Sequence, residues 1–316
     1  MTLHSSTHDV RPSGAGIRAR ASAGVAQSGY TLVARWLWLT AGLWLLTGVT
    51  LGDPADLQTG SAVEAKEADT AVDAQSQARR SNHFIADLKL QLVWIEPGTF
   101  EMGSSPEMRK DKAESPSTQV KLTRGFWLGR TEVTQAQYEA VTGMNPSTYK
   151  QVGPDAPVER VSWIDAIKFC ETLTQRERTA GRLPDGFEFT LPTEAQWEYA
   201  CRAGTTSEYA GDPEAMAWFN TNSGGSTHPV AMKQPNVWSL YDMSGNVLEW
   251  CYDWYGDYSG GAVVDPTGPK HGHYRMARGG SWRAEMHVGR SAARAGGSAG
   301  RLDYTMGFRV ALVPIR

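Results

Sequence analysis

Cysteine is scarce in this chain and runs out early. Among 316 residues there are three, Cys170, Cys201 and Cys251, and none follows Cys251. No thiolate can come from residues 252–316, so a soft-metal site there would have only thioether or imidazole donors. An odd count also leaves at least one thiol without an intramolecular partner. No Cys/His spacing of the zinc kind occurs, which excludes a structural zinc site of that type. Basic residues are not in excess: 31 Lys and Arg face 34 Asp and Glu, a net charge of −3. That removes the electrostatic case for nucleic acid. No repeat of solenoid period is visible, so a repeat array is excluded.

The residues that are present divide along the chain. Residues 36–51 carry no charge, and Arg11, Arg18, Arg20 and Arg35 precede them against the single acid Asp9. Positive charge ahead of an apolar run keeps residues 1–35 in the cytoplasm and exports the chain beyond the run. The run, with boundaries 36–52, is intermediate in length between a signal-peptide core and a full membrane span. A cleaved signal and a retained single-span anchor are both compatible with it. Residues 53–87 are rich in Ala, Asp, Glu, Gln and Ser and read as a solvated linker. The folded domain is expected over 88–316, enough for one sizeable core. The expected location is the periplasm or the cell surface, membrane-attached if 36–52 is retained.

Tryptophan (12) and glycine (33) are plentiful in the chain, while charged residues make up 21%. This combination predicts a loop-rich domain packed on aromatic rings. Three helices announce themselves by their caps. Thr134 with Gln137 and Thr193 with Gln196 have capping-box spacing. Ser162 precedes apolar residues at helical spacing, among them Ala166, Cys170 and Leu173. Segments 88–102 and 118–130 alternate as strands do. Beyond Gly204 the chain reads mostly as turns.

Several blocks then recur in a familiar order. They include Trp94-Ile95-Glu96-Pro97-Gly98, Gly129-Arg130-Thr131-Glu132-Val133-Thr134 and Pro157-Val158-Glu159-Arg160-Val161-Ser162-Trp163. Leu191-Pro192-Thr193-Glu194, Ser244-Gly245-Asn246-Val247-Leu248-Glu249-Trp250, Arg278-Gly279-Gly280-Ser281-Trp282 and Gly307-Phe308-Arg309 come after them. Together they resemble the formylglycine-generating enzymes, the sulfatase-modifying factor family. The resemblance covers about residues 90–313. It implies an α+β, irregular C-type-lectin-like fold with little regular secondary structure.

The same resemblance implies a site and then removes it. Family enzymes hold copper with two cysteines five residues apart, just after the Gly-Gly-Ser motif, and oxidise a substrate cysteine. Ser281 matches the motif serine, and counting onward places Ala284 and Gly289 where the cysteines would stand. Copper is therefore not expected, and Met286 and His287 are the only nearby alternative donors. Family disulfides would pair Cys170 and Cys201 with positions occupied here by Val310 and Ser291. The simpler reading makes both thiols buried small apolar groups; a rearranged Cys170–Cys201 bridge is the alternative. A structural calcium site is implied at Asp242, Gly245, Val247 and Glu249, two carboxylates bracketing two backbone carbonyls. The alternative there is a turn capped by Asp242. His228 reads as a loop hydrogen-bonder. Arg278, Arg290, Arg294 and Arg309 could line a groove for an acidic ligand or bond carbonyls of an irregular fold.

Three functions stand as expectations. The first is an exported scaffold that binds a protein or carbohydrate partner without oxidase chemistry. The second is a different chemistry on the same scaffold, as in sulfoxide synthases and a siderophore maturation factor. The synthase version needs an N-terminal iron-binding His cluster, and residues 1–85 have only His4, His8 and His83. The third is formylglycine generation itself, by a route without the cysteine pair.

Overall fold

The run Leu90-Gln91-Leu92-Val93-Trp94-Ile95 shows how this fold is built. In a computed structural model, which describes residues 82–105 and 111–315, it forms a strand with both faces covered. Side chains alternate across a strand. Leu90 and Leu92 therefore enter one core, and Val93 and Ile95 enter another on the opposite face.

This strand, β2 (Leu90–Ile95), sits second in a five-stranded sheet. Its neighbours are β1 (His83–Ile85), β5 (Phe126–Gly129), β12 (Ala311–Pro314) and β6 (Phe187–Thr190), in the order β1-β2-β5-β12-β6. Every pairing in it is antiparallel. The sheet thus joins the two ends of the domain: Ala311 and Leu312 of β12 face Leu128 and Trp127 of β5. A three-stranded sheet holds β3 (Gly98–Met102), β4 (Thr118–Leu122) and β8 (Gly261–Val264). A four-stranded sheet runs β10-β9-β7-β11, from Arg294–Gly297, Arg275–Arg278, Leu248–Trp254 and Met306–Gly307.

The helices form where the caps predict. Helix α1 (Gln135–Thr142) has both bonds of its capping box, between Thr134 and Gln137, and stops at Gly143 with φ 79°. Helix α2 (Trp163–Thr179) is capped by Ser162, whose partner is Asp165. Helix α3 (Glu194–Arg202) carries the Thr193–Gln196 box. A single turn, α4 (Pro213–Met216), comes next. Helices α1 and α2 bring Tyr138, Phe169, Cys170 and Leu173 to one core, and α3 brings Ala195, Trp197 and Cys201 to the other.

Two expectations change. The fold begins before residue 88, because β1 pairs with β2 and buries Ile85. A three-residue strand is too short for alternation to reveal it. The expectations for 1–35, 36–52 and residues 53–81 lie outside the described residues. Beyond Gly204 the chain is not only turns: it contributes β7 to β12. These strands are short, and β7 is buried or half-buried along its whole length, so no polar face marks it. The fold is otherwise the expected mixed α and β domain with few helices.

Candidate functional site

The segment after Gly279-Gly280 is held on both flanks. Ser281 is buried, and its carbonyl accepts the Ala284 N–H at 2.9 Å, closing a tight turn. The Ala284 carbonyl accepts the Asn220 N–H at 3.0 Å, and the Gly289 carbonyl accepts the Ser244 hydroxyl at 2.8 Å. The loop is thus tied to the 217–223 turn and to the Ser244 block.

Those ties decide what fits. A Cβ placed on Gly289 would meet Cε1 and Cζ of Phe219 at 2.4 Å. Phe219 is fully buried, so its ring occupies the space that a side chain at position 289 would need. Ala284 is half-buried and has no donor atom. Of the alternative donors, His287 Nδ1 lies 3.2 Å from Glu285 at the surface, and the Met286 backbone is tied by its carbonyl to the Tyr209 hydroxyl at 2.7 Å. The residues of this loop do not fit a thiolate-held copper ion.

Beside the loop, three rings meet. Trp282 lies edge-on to Tyr149 at 5.3 Å and tilted to Tyr304 at 5.9 Å. Trp282 is buried while Tyr149 and Tyr304 are half-exposed, and the exposed Arg283 guanidinium sits over Tyr304 at 5.6 Å.

The implied calcium block is arranged differently from a ligand cage. Both Glu249 oxygens take the Arg309 guanidinium, at 2.6 Å each, and Oε2 also accepts Trp197 Nε1–H at 2.7 Å. Asp242 Oδ2 accepts the Ala231 N–H at 2.8 Å, while Oδ1 is buried without a hydrogen bond. Val247 N–H donates to Glu132 Oε1 and Gly245 N–H to the Gly279 carbonyl. Among the described residues no group of three or more His, Cys, Asp or Glu is disposed to hold a metal. The geometry therefore assigns Glu249 to Arg309.

Burial dominates the electrostatics of this block. It pushes Asp242 up to about 6, against the pull of the Ala231 N–H and Arg309. Burial also raises Glu132 well above the carboxylate range, reinforced by Asp242 and Glu249. Three buried carboxylates thus share one guanidinium, and charging all of them costs more than Arg309 returns.

The remaining arginines are paired, not free. Arg278 bonds Glu198 and the Ala293 carbonyl. Arg290 forks onto Glu114 at 2.7 and 2.9 Å, and Arg294 onto Glu194 at 2.7 and 2.8 Å. Arg202 completes the set with Glu198 at 2.8 Å. All are buried or nearly so, and several also bond loop carbonyls, as an irregular fold requires. Sequence reading found Arg278, Arg290 and Arg294 but missed Arg202 and the acids. The available signal was the i,i+4 pair Glu194 and Glu198 on the core face of a helix.

Cysteine chemistry is shut down by burial. All three thiols are free and buried. Cys170 and Cys201 lie in different cores, so no Cys170–Cys201 bridge exists. Cys201 Sγ lies 3.6 Å from Ser291 Oγ, and Cys170 shares its core with Val310. Burial pushes Cys201 up to about 11 and Cys251 well above the usual thiol range, even though Arg278 pulls both down. His228 stacks on Trp218 at 3.7 Å and bonds the Ser223 carbonyl at 2.8 Å, a loop role.

Residues 82–313 match the sulfatase-modifying factor enzyme 1-like domain. The chain belongs to that family. It is 29% identical over 268 residues to the chaperone protein LppX of Paenibacillus barcinonensis, covering 69% of this chain and 88% of that one. It is 26% identical to the formylglycine-generating enzyme of Bos taurus, covering 70% of this chain and 74% of the enzyme. The solved Treponema denticola variable protein 1 matches with a TM-score of 0.65 and 30% identity, over 73% of this chain and 98% of that chain.

Proposed function

We propose that this chain is an exported sulfatase-modifying-factor-like module that binds a protein or carbohydrate partner and has no oxidase activity. The observation that carries the reading is the Phe219 ring against Gly289. The place of one copper cysteine is filled by a buried side chain, and the place of the other is Ala284. A site that activates oxygen through a soft metal needs its ligands. Family membership does not supply the activity by itself, because its relatives include both formylglycine-generating enzymes and a protein named as a chaperone. Export rests on the arginines ahead of the apolar run 36–52. The half-exposed rings of Tyr149 and Tyr304, with Arg283 beside them, offer the kind of amphipathic surface that peptides and sugars use. The calcium implied at Asp242 and Glu249 is no part of this reading, because Arg309 holds both Glu249 oxygens.

The test is a copper(I) titration of the full chain, paired with oxygen uptake on a cysteine-containing sulfatase-motif peptide. The reading expects neither tight binding nor uptake. Copper-dependent turnover would refute it.

A further inference from the structure

A cavity of about 350 Å³ lies away from the 281–289 loop, with none of that loop's residues in its wall. It sits between the β3-β4-β8 sheet and the start of α3, and the 254–269 segment covers it. Met102, Val120 and Val263 from the three strands, Ala195 from α3 and the rings of Trp254 and Pro269 supply its apolar wall.

The buried charged groups in the wall, Glu194, Arg294 and Asp253, are already bonded, and the fourth, Asp257, is exposed. Glu194 has both oxygens on Arg294 and a third bond from the Tyr258 hydroxyl at 3.1 Å. Arg294 also donates to the Ala113 and Gly256 carbonyls, both at 2.8 Å. Its guanidinium also lies 4.0 Å from the Tyr258 ring centroid. Asp253 Oδ2 accepts the Glu194 N–H at 2.9 Å. Thr118 Oγ1 bonds the Pro116 carbonyl at 3.3 Å and accepts the Gly260 N–H at 3.2 Å. A charged ligand recognised by the buried groups would have to break one of these bonds, and leaving a buried partner unpaired is costly; Asp257 keeps its charge in water. An uncharged apolar ligand would lose nothing and bury its surface.

We propose that this cavity binds a small uncharged apolar molecule, with Met102, Val120, Val263 and Trp254 as its contact residues. Size narrows the class. A dry apolar cavity of about 150 Å³ takes one benzene ring. The present cavity, at about 350 Å³, suits a molecule of two fused rings. Trp254 presents an aromatic side chain to it, and the Arg275 guanidinium stacked at 3.5 Å on that indole helps to hold it in place.

The test uses the full chain and 1-fluoronaphthalene, monitored by ¹⁹F NMR. Saturable binding at one site is expected. Val263→Trp, which fills the cavity from the β8 edge, should weaken binding by at least about tenfold. Val264→Trp, at the exposed neighbouring position, should leave binding unchanged. A second readout needs no variant: the ¹³C-methyl signal of Met102 should shift on titration, and that of the exposed Met144 should not. Absence of saturable binding, or binding that leaves Met102 unmoved, would overturn the proposal. Neither result bears on the copper titration.

Discussion

Replacing Ser291 by cysteine should close a disulfide that the fold is still shaped to accept. Cys201 Sγ and Ser291 Oγ are 3.6 Å apart in the native packing, and both residues are buried. Their side chains already point at each other, so the bridge needs only a small approach of two neighbouring groups. The two positions are 90 residues apart in sequence. Chain entropy for a loop of that size predicts about 4–5 kcal/mol of stabilisation, and engineered bridges commonly deliver less, about 2–4 kcal/mol. For a domain of this length each kcal/mol moves Tm by about 2–4 °C, so oxidised Ser291→Cys should melt roughly 5–15 °C above its reduced form. The assay compares melting with and without dithiothreitol and counts thiols in denaturant. Four titratable thiols in the unreduced variant, or equal Tm values in both states, would refute the reasoning. It would mean that the 291 loop has drifted from the register that the Cys201 contact implies.

Other perturbations have directions fixed by the same packing. Glu249→Gln breaks a fully buried fork and removes the one carboxylate bonded to Arg309, so it should cost about 3–5 kcal/mol in urea unfolding; a loss below about 1 kcal/mol would mean the pair is solvated. Asp242 has its pKa raised on folding, from 3.8 to about 6, so its contribution is fully present below pH 3.8 and lost as pH rises through about 6. Asp242→Asn should therefore stabilise the domain at pH 8 by roughly 3 kcal/mol relative to wild type and flatten Tm between pH 4 and 7, unless calcium is bound there. Adding calcium at pH 8 checks that last point directly: no rise in Tm is expected while Glu249 stays on Arg309. The three native thiols should resist Ellman's reagent until the protein unfolds, because burial raises Cys170, Cys201 and Cys251 alike; rapid labelling of any of them in the native state would contradict the burial.

Local codes were enough for some of this protein. Three cap pairs, at Thr134, Ser162 and Thr193, determined where the helices begin, because a cap bonds backbone only two or three residues away. The lack of any cysteine beyond 251 determined that no thiolate pair follows the Gly-Gly-Ser motif. Tertiary structure decided the rest. That Phe219 fills the space at Gly289, that Glu249 belongs to Arg309, and that Cys201 faces Ser291 are contacts between residues 70, 60 and 90 positions apart. No periodicity or cap encodes such pairs. They depend on how short strands and irregular loops close over two cores, where a buried charge is settled by whichever partner the packing brings within reach.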